Sequence, residues 1–157
     1  MKSKHEVTIL SGIHDLCVKF HGPEGTLYEG GIWKVHITLT QNYPFSPPTV
    51  RFLNPVYHPN IDKATGTVCL NALSHDWSPL YDLSNIFESF LPQLLTYPNP
   101  SHPMNLNAAA LYMSKPEDYD KKVRNYVRKY AGAEALEESD SSSSDSSLSD
   151  SGEMQLR

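Results

Sequence analysis

Midway along this chain the apolar residues change their spacing, and that change restricts the fold more than any other property of the sequence. Segments 6–10, 16–20, 32–39 and 49–53 are short runs of branched and aromatic residues. Turn-forming stretches rich in Gly, Pro and Ser separate them, as strands linked by tight connections require. From Leu83 the pattern is helical: Leu83, Ile86, Phe87, Phe90, Leu91, Leu94 and Leu95 recur as one face of a helix does. Pro92 lies inside that stretch and is expected to bend it by removing a backbone donor. A short helix is expected after Asn105, with Ala108, Ala109, Ala110 and Met113. A last helix is expected from Pro116, opened by Glu117 and Asp118. Tyr119, Val123, Tyr126, Val127 and Tyr130 form its core face, and Lys121, Lys122, Arg124, Arg128 and Lys129 point largely elsewhere. Strands first and helices after predict an α+β domain built on a four-stranded antiparallel meander.

Between the two patterns lies a stretch, 54–82, without periodicity. Irregular connections longer than about 12–15 residues in a compact domain are usually functional or disordered. Tyr57, Leu70, Leu73, Trp77 and Leu80 argue against disorder here. The same stretch holds His58-Pro59-Asn60 and, nine residues after Asn60, Cys69. The chain has only two cysteines, too few to staple a domain of this size. Cys17 sits within a strand between Leu16 and Val18 and reads as structural.

Charge divides the chain. The 157 residues carry a formal net charge of -5, yet through Ala131 there are 12 basic and 11 acidic residues. The acidity belongs to 132–157, with 7 acidic residues and only Arg157 opposing them. That tail contains the run Asp140 to Asp150, ten of whose eleven residues are serine or aspartate, and has too few apolar residues to offset its ordering entropy. The expected division is therefore a core domain over 1–131 and a disordered acidic tail over 132–157. Ser142 and Ser147 each precede an aspartate by three residues, a spacing favoured by acidophilic kinases, and each phosphate would add about 1.5–2 negative charges. No apolar run approaches the roughly 20 residues needed to cross a bilayer, and the polar start shows no secretory signal. A near-neutral body with an acidic tail gives little support to direct nucleic-acid binding. The seven histidines are scattered, without spacing that would close a zinc site.

Six motifs then occur in order: Tyr28-Glu29-Gly30-Gly31, Tyr43-Pro44-Phe45-Ser46-Pro47-Pro48, Tyr57-His58-Pro59-Asn60-Ile61, Gly66-Thr67-Val68-Cys69-Leu70, Trp77-Ser78-Pro79 and Tyr97-Pro98-Asn99-Pro100. In order and spacing they resemble the ubiquitin-conjugating enzyme family, over about 6–131. Phe87-Glu88-Ser89-Phe90-Leu91-Pro92-Gln93-Leu94-Leu95 and the Ser/Asp tail look most like the H-type branch, associated with histone substrates. The resemblance implies that Cys69 is the nucleophile, taking ubiquitin as a thioester from an activating enzyme that itself uses the ATP, so no cofactor is bound directly. An ordinary thiol is only a few per cent thiolate at neutral pH, which suffices for sulfur when the partner is delivered in place. Asn60 aligns with the asparagine that steadies the developing oxyanion or the local loop, and His58 reads as an anchor of that loop. Phe45, Ser78, Pro79 and Leu80 align with the two loops presented to a ubiquitin ligase. A cytoplasmic or nuclear location goes with this reading.

Three departures from the family pattern stand out. Only residues 1–5 precede the first strand, too few for the helix of several turns with which family members begin. Asn71 and His102 stand where the family usually has aspartates, and a carboxylate there can orient the incoming lysine and help it lose a proton. Both changes remove negative charge and predict slower lysine discharge. Two other functions use the same residues: a binding module that holds ubiquitin or a ligase without transferring it, and a cysteine protease built on Cys69, His58 and Asn60. No flank resembling a papain or caspase surrounds Cys69.

Overall fold

Apolar side chains at every second position give the strands one buried face. The computed structural model describes residues 6–9 and 15–132. Four strands, β1 (Glu6–Ile9), β2 (Asp15–His21), β3 (Ile32–Thr38) and β4 (Thr49–Phe52), form one sheet in chain order, each antiparallel to the next. Register is set by that burial: Val18 and Phe20 of β2, Trp33, Val35 and Ile37 of β3, and Val50 and Phe52 of β4 all enter the core. A slip of one residue would turn each of them to the outer face. Phe20, Phe52 and Trp33 meet edge-on, with centroids 6.3 and 6.2 Å apart.

The helices cover that face. Leu83 to Thr96 is one apolar stripe, but its backbone is not one helix. A short α2 (Leu83–Asn85) runs into a π-helical turn over Ile86–Phe90 and then into α3 (Leu91–Thr96). The expected bend at Pro92 is instead a widened turn ahead of it. Leu91 donates its N–H to Ile86 O, five residues back, and Pro92 falls in the first turn of α3, where a missing donor costs nothing. Ile86, Phe87, Phe90, Leu91, Leu94 and Leu95 are buried, and Phe87 packs 6.2 Å from Phe20.

Two further helices close the domain. Asn105 caps α4 (Leu106–Ser114), its side-chain oxygen accepting from Ala108 N–H at 3.0 Å. α5 (Pro116–Tyr130) buries Tyr119 and Val123, half-buries Tyr126, Val127 and Tyr130, and exposes the five cations expected on its outer side. Its C-terminus is tied to the sheet. Ile32 N–H donates to Ala131 O at 2.9 Å, and Asn54 Nδ2 bridges the carbonyls of Ile32 and Tyr130. Gly31 precedes this junction because the Trp33 ring lies against it; a Cβ there would come within 2.4 Å of the indole. The expectation of a missing front helix falls on 1–5, and that of a tail almost wholly on 133–157; both lie outside the described residues.

Candidate functional site

Asn60 and Cys69 face one another because the chain between them folds back on itself. Ile61 and Val68 form an antiparallel bridge, and Cys69 N–H donates to Asn60 O at 3.0 Å. The reversal is closed by Gly66 N–H on Asp62 O at 2.8 Å, with Thr65 held on the Asp62 carboxylate. Gly66 has φ +78°, and a Cβ at that position would lie 2.0 Å from Phe52 O. Only glycine meets both demands. Phe52 N–H donates to Gly66 O at 2.8 Å and Val68 N–H to Val50 O at 2.9 Å, so the strand leading into Cys69 is laid directly against β4.

The stretch 54–82, expected to be irregular, contains a helix, α1 (Leu70–Asp76), with Cys69 at its N-cap. Seven residues are too few to show a period. Leu73 is its one buried apolar side chain among those described, while Leu70 is 55% exposed.

His58 and Asn60 are fully committed to holding this arrangement. His58 is buried, its Nε2 2.8 Å from Leu94 O and its Nδ1 accepting from Asn60 N–H at 3.0 Å. An acceptor at Nδ1 places the proton on Nε2, where it donates to Leu94. Burial pushes the imidazole down to about 4, against a smaller opposing effect of the Leu94 carbonyl. A ring that is neutral, enclosed and bonded at both nitrogens is an anchor and has no lone pair left for a thiol, which removes the base that a protease would need. Asn60 is equally occupied. Its Nδ2 donates to Asn99 O at 2.8 Å and His102 O at 3.1 Å, and its Oδ1 accepts from Asn99 N–H at 2.8 Å. The amide thus pins the loop that carries His102. Met104 and Asn105 both donate to Pro59 O, fixing the start of α4 to the same turn.

These groups surround a cavity of about 440 Å³. Cys69, Asn60, Asn71 and His102, singled out in the sequence, all line it. Cys69 is 6% exposed, while Asn71 and His102 are exposed at the rim. The opposite wall comes from Phe90, Gln93, Leu94 and Tyr97, with Asn99 beside them. Sequence reasoning missed these as site residues. Tyr97, Asn99 and Gln93 lay in quoted motifs without a role, and Phe90 and Leu94 were absorbed into the apolar stripe. A second, smaller cavity of about 140 Å³ is also lined by Cys69, together with Pro48, Val50 and Leu73.

Phe45, Ser78, Pro79 and Leu80 are all exposed, at 77% for Phe45 and 92% for Leu80, so neither large side chain caps the core. Trp77 ties their two loops together: its Nε1 donates to Pro44 O at 2.8 Å, and its ring lies 5.9 Å from Tyr43 and 5.5 Å from Tyr81. Cys17 is half-buried on the outer face of β2, opposite His36 of β3, and is not among the residues lining the cavity. Burial raises its thiol above the ordinary range, partly offset by Lys34.

Comparison with known proteins gives a consistent result. Residues 2–127 match the family model described as ubiquitin-conjugating enzyme. The chain is 47% identical over 137 residues to ubiquitin-conjugating enzyme E2-23 kDa of Triticum aestivum, covering 87% of this chain and 74% of that protein. It is 44% identical over 151 residues to ubiquitin-conjugating enzyme E2 5 of Arabidopsis thaliana, covering 96% and 80%. Among solved structures, the E2 domain of a Toxoplasma gondii ubiquitin conjugating enzyme superposes with a TM-score of 0.73 at 30% identity, over 81% of this chain and 88% of that one.

Proposed function

The chain belongs to the ubiquitin-conjugating enzyme family, and on that premise we propose that Cys69 carries ubiquitin as a thioester and passes it to a substrate lysine. The observation that carries this reading is the placement of Cys69. Its thiol sits at the N-cap of α1, paired through its backbone to Asn60, on the wall of a cavity open to solvent. Charging is a thioester exchange. Cys69 Sγ forms the new bond to the ubiquitin carbonyl carbon, the bond to the activating enzyme's sulfur breaks, and that thiolate takes up the proton. Discharge reverses the leaving group: a lysine amine attacks the same carbon, an isopeptide bond forms, and the Cys69 thiolate departs.

Asn60 contributes by position. With both Nδ2 protons on the carbonyls of Asn99 and His102, it holds the loop at the edge of the reaction space instead of donating to the oxyanion. His102, with Ser101 Oγ 3.4 Å from its Nδ1, is the one imidazole lining the cavity and the group we assign to take the amine's proton. Asn71, also lining the cavity, supplies a neutral amide where a carboxylate would orient the amine more strongly. Phe45, Ser78, Pro79 and Leu80 form the ligase-docking surface, an exposed aromatic and an exposed leucine on loops braced by Trp77. Ubiquitin, an activating enzyme and a ligase are the partners this function requires, and histones or other basic proteins are candidate substrates of the acidic-tailed chain.

The test is a non-reducing gel of the full chain incubated with ubiquitin, activating enzyme and ATP, beside Cys69→Ala. A reducible adduct one ubiquitin heavier, absent from the mutant, supports the carrier. No adduct from folded protein and working activating enzyme would leave a module that binds ubiquitin or a ligase without transferring it.

A further inference from the structure

The basic face of α5 is matched in charge by a segment of the same chain. Lys121, Lys122, Arg124, Arg128 and Lys129 are exposed, and no acidic residue lies between 121 and 130. The acidic residues of the helix precede them, with Glu117 and Asp118 in the first turn and Asp120 next to it. Shallow grooves flank this face. One is lined by Lys121, Lys122, Arg124 and Arg128, with Asp118 at its edge. The other runs between Arg124, Arg128 and the 26–30 turn. Glu29 lies in that second groove, with its carboxylate engaged by Gly25 N–H at 3.0 Å.

The contacts of these cations are to neutral groups. Lys122 sits 5.2 Å over the Tyr57 ring, Lys129 sits 5.4 Å over Tyr130, and Arg128 donates to Asn125 Oδ1 at 3.2 Å. Among the described residues none of the five is held in an ion pair, so the face presents its full charge.

The chain leaves α5 through Ala131 and Gly132, and Gly132 itself lines the second groove. Beyond it come seven acidic residues against Arg157 alone, with serine and aspartate densest over 140–150. Asp140 lies eight positions beyond Gly132, an extended reach of up to about 27 Å. The span from Lys121 to Lys129 along the helix is only about 12 Å. A short tether of this kind holds its segment at an effective concentration of order millimolar.

We propose that residues 140–150 dock in cis on the basic face of α5, and that phosphorylation of Ser142 and Ser147 tightens the contact at Arg124 and Arg128. Each exposed charge pair contributes little by itself and is screened by salt. The contact therefore depends on several pairs at once, and two phosphates, each accepting bidentate arginine hydrogen bonds, change it most. A basic substrate drawn to the acidic run would have to displace it from α5.

Paramagnetic broadening in the full-length chain tests this. A nitroxide is placed at Ser149→Cys in a Cys17→Ser, Cys69→Ser background, which leaves Ser142 and Ser147 intact. At about 50 mM salt, backbone amides of 121–129 should lose several-fold more intensity than those of β3, and at about 500 mM the loss should disappear. The triple substitution K121E, R124E and R128E should abolish it at low salt, and phosphorylation at Ser142 and Ser147 should move the salt midpoint upward. Absent broadening, broadening that salt leaves unchanged, or a triple variant that broadens like the parent would overturn the proposal. So would equal broadening in a mixture of spin-labelled chain and separate isotope-labelled chain, because the contact would then be between molecules.

Discussion

Burial keeps the His58 imidazole neutral, with its pKa near 4, whereas in the unfolded chain it would sit near 6.5. Below about pH 6.5 the unfolded state therefore binds a proton that the folded state refuses, and stability must fall as pH drops. The loss accumulates down to about pH 4 and levels off below it, reaching about 3 kcal/mol from this residue. Urea unfolding at a series of pH values should show that slope, and His58→Gln should flatten it, since an amide can bridge Leu94 and Asn60 without titrating. Asn60 offers a second check at this scale. If it acts as the pin of the 99–102 loop, Asn60→Ala removes its two bonds to the Asn99 and His102 carbonyls and its acceptance from Asn99 N–H, and the fold should lose about 1–3 kcal/mol along with lysine discharge. Slowed discharge at unchanged stability would point instead to a donor acting on the oxyanion. Asn71→Asp and His102→Asp should each speed discharge to free lysine, read as single-turnover loss of the thioester; an unchanged rate for both would remove the carboxylate argument. Gly66→Ala, with its Cβ forced onto Phe52 O in a left-handed backbone, should cost at least about 3 kcal/mol and lower charging of Cys69.

At the scale of elements, the two surface loops form a unit braced by Trp77, and its two large side chains, Phe45 and Leu80, stand outside the core. Phe45→Ala and Leu80→Ala should leave the melting temperature and unstimulated discharge as they are, while ligase-stimulated discharge falls about tenfold or more. Loss of stability in either variant would show that the side chain is needed by the fold. Much of this level was legible beforehand. Strands of branched residues between glycine and proline turns, the capping Asn105, and Pro116-Glu117-Asp118 at the start of α5 are local signals, and the elements formed where those signals lay. What escaped was what depends on neighbours distant in sequence. α1 is held by Leu73 and by the placement of Cys69 against Asn60, not by any period of its own. The π-helical turn reconciles an apolar stripe with Pro92, which no local propensity foretells. The cysteine, the asparagine and the histidine could be found as residues, but the carbonyls of Asn99, His102 and Leu94 that engage the latter two could not.

Across the whole molecule, charge and reactivity are kept apart. Cations line the outer face of α5, acids gather after Gly132, and the cavity at Cys69 is lined by amides, aromatics and aliphatics, with His102 the one basic side chain and no carboxylate among the lining residues. A cavity of that kind exerts almost no pull on an ammonium approaching from bulk water. Lysine would arrive there by being carried, its parent protein held somewhere else on the surface while the amine samples the opening. Selection of a target thus becomes a matter of address, written in surfaces remote from the sulfur, and the chemistry is left free to accept whichever amine is brought within range.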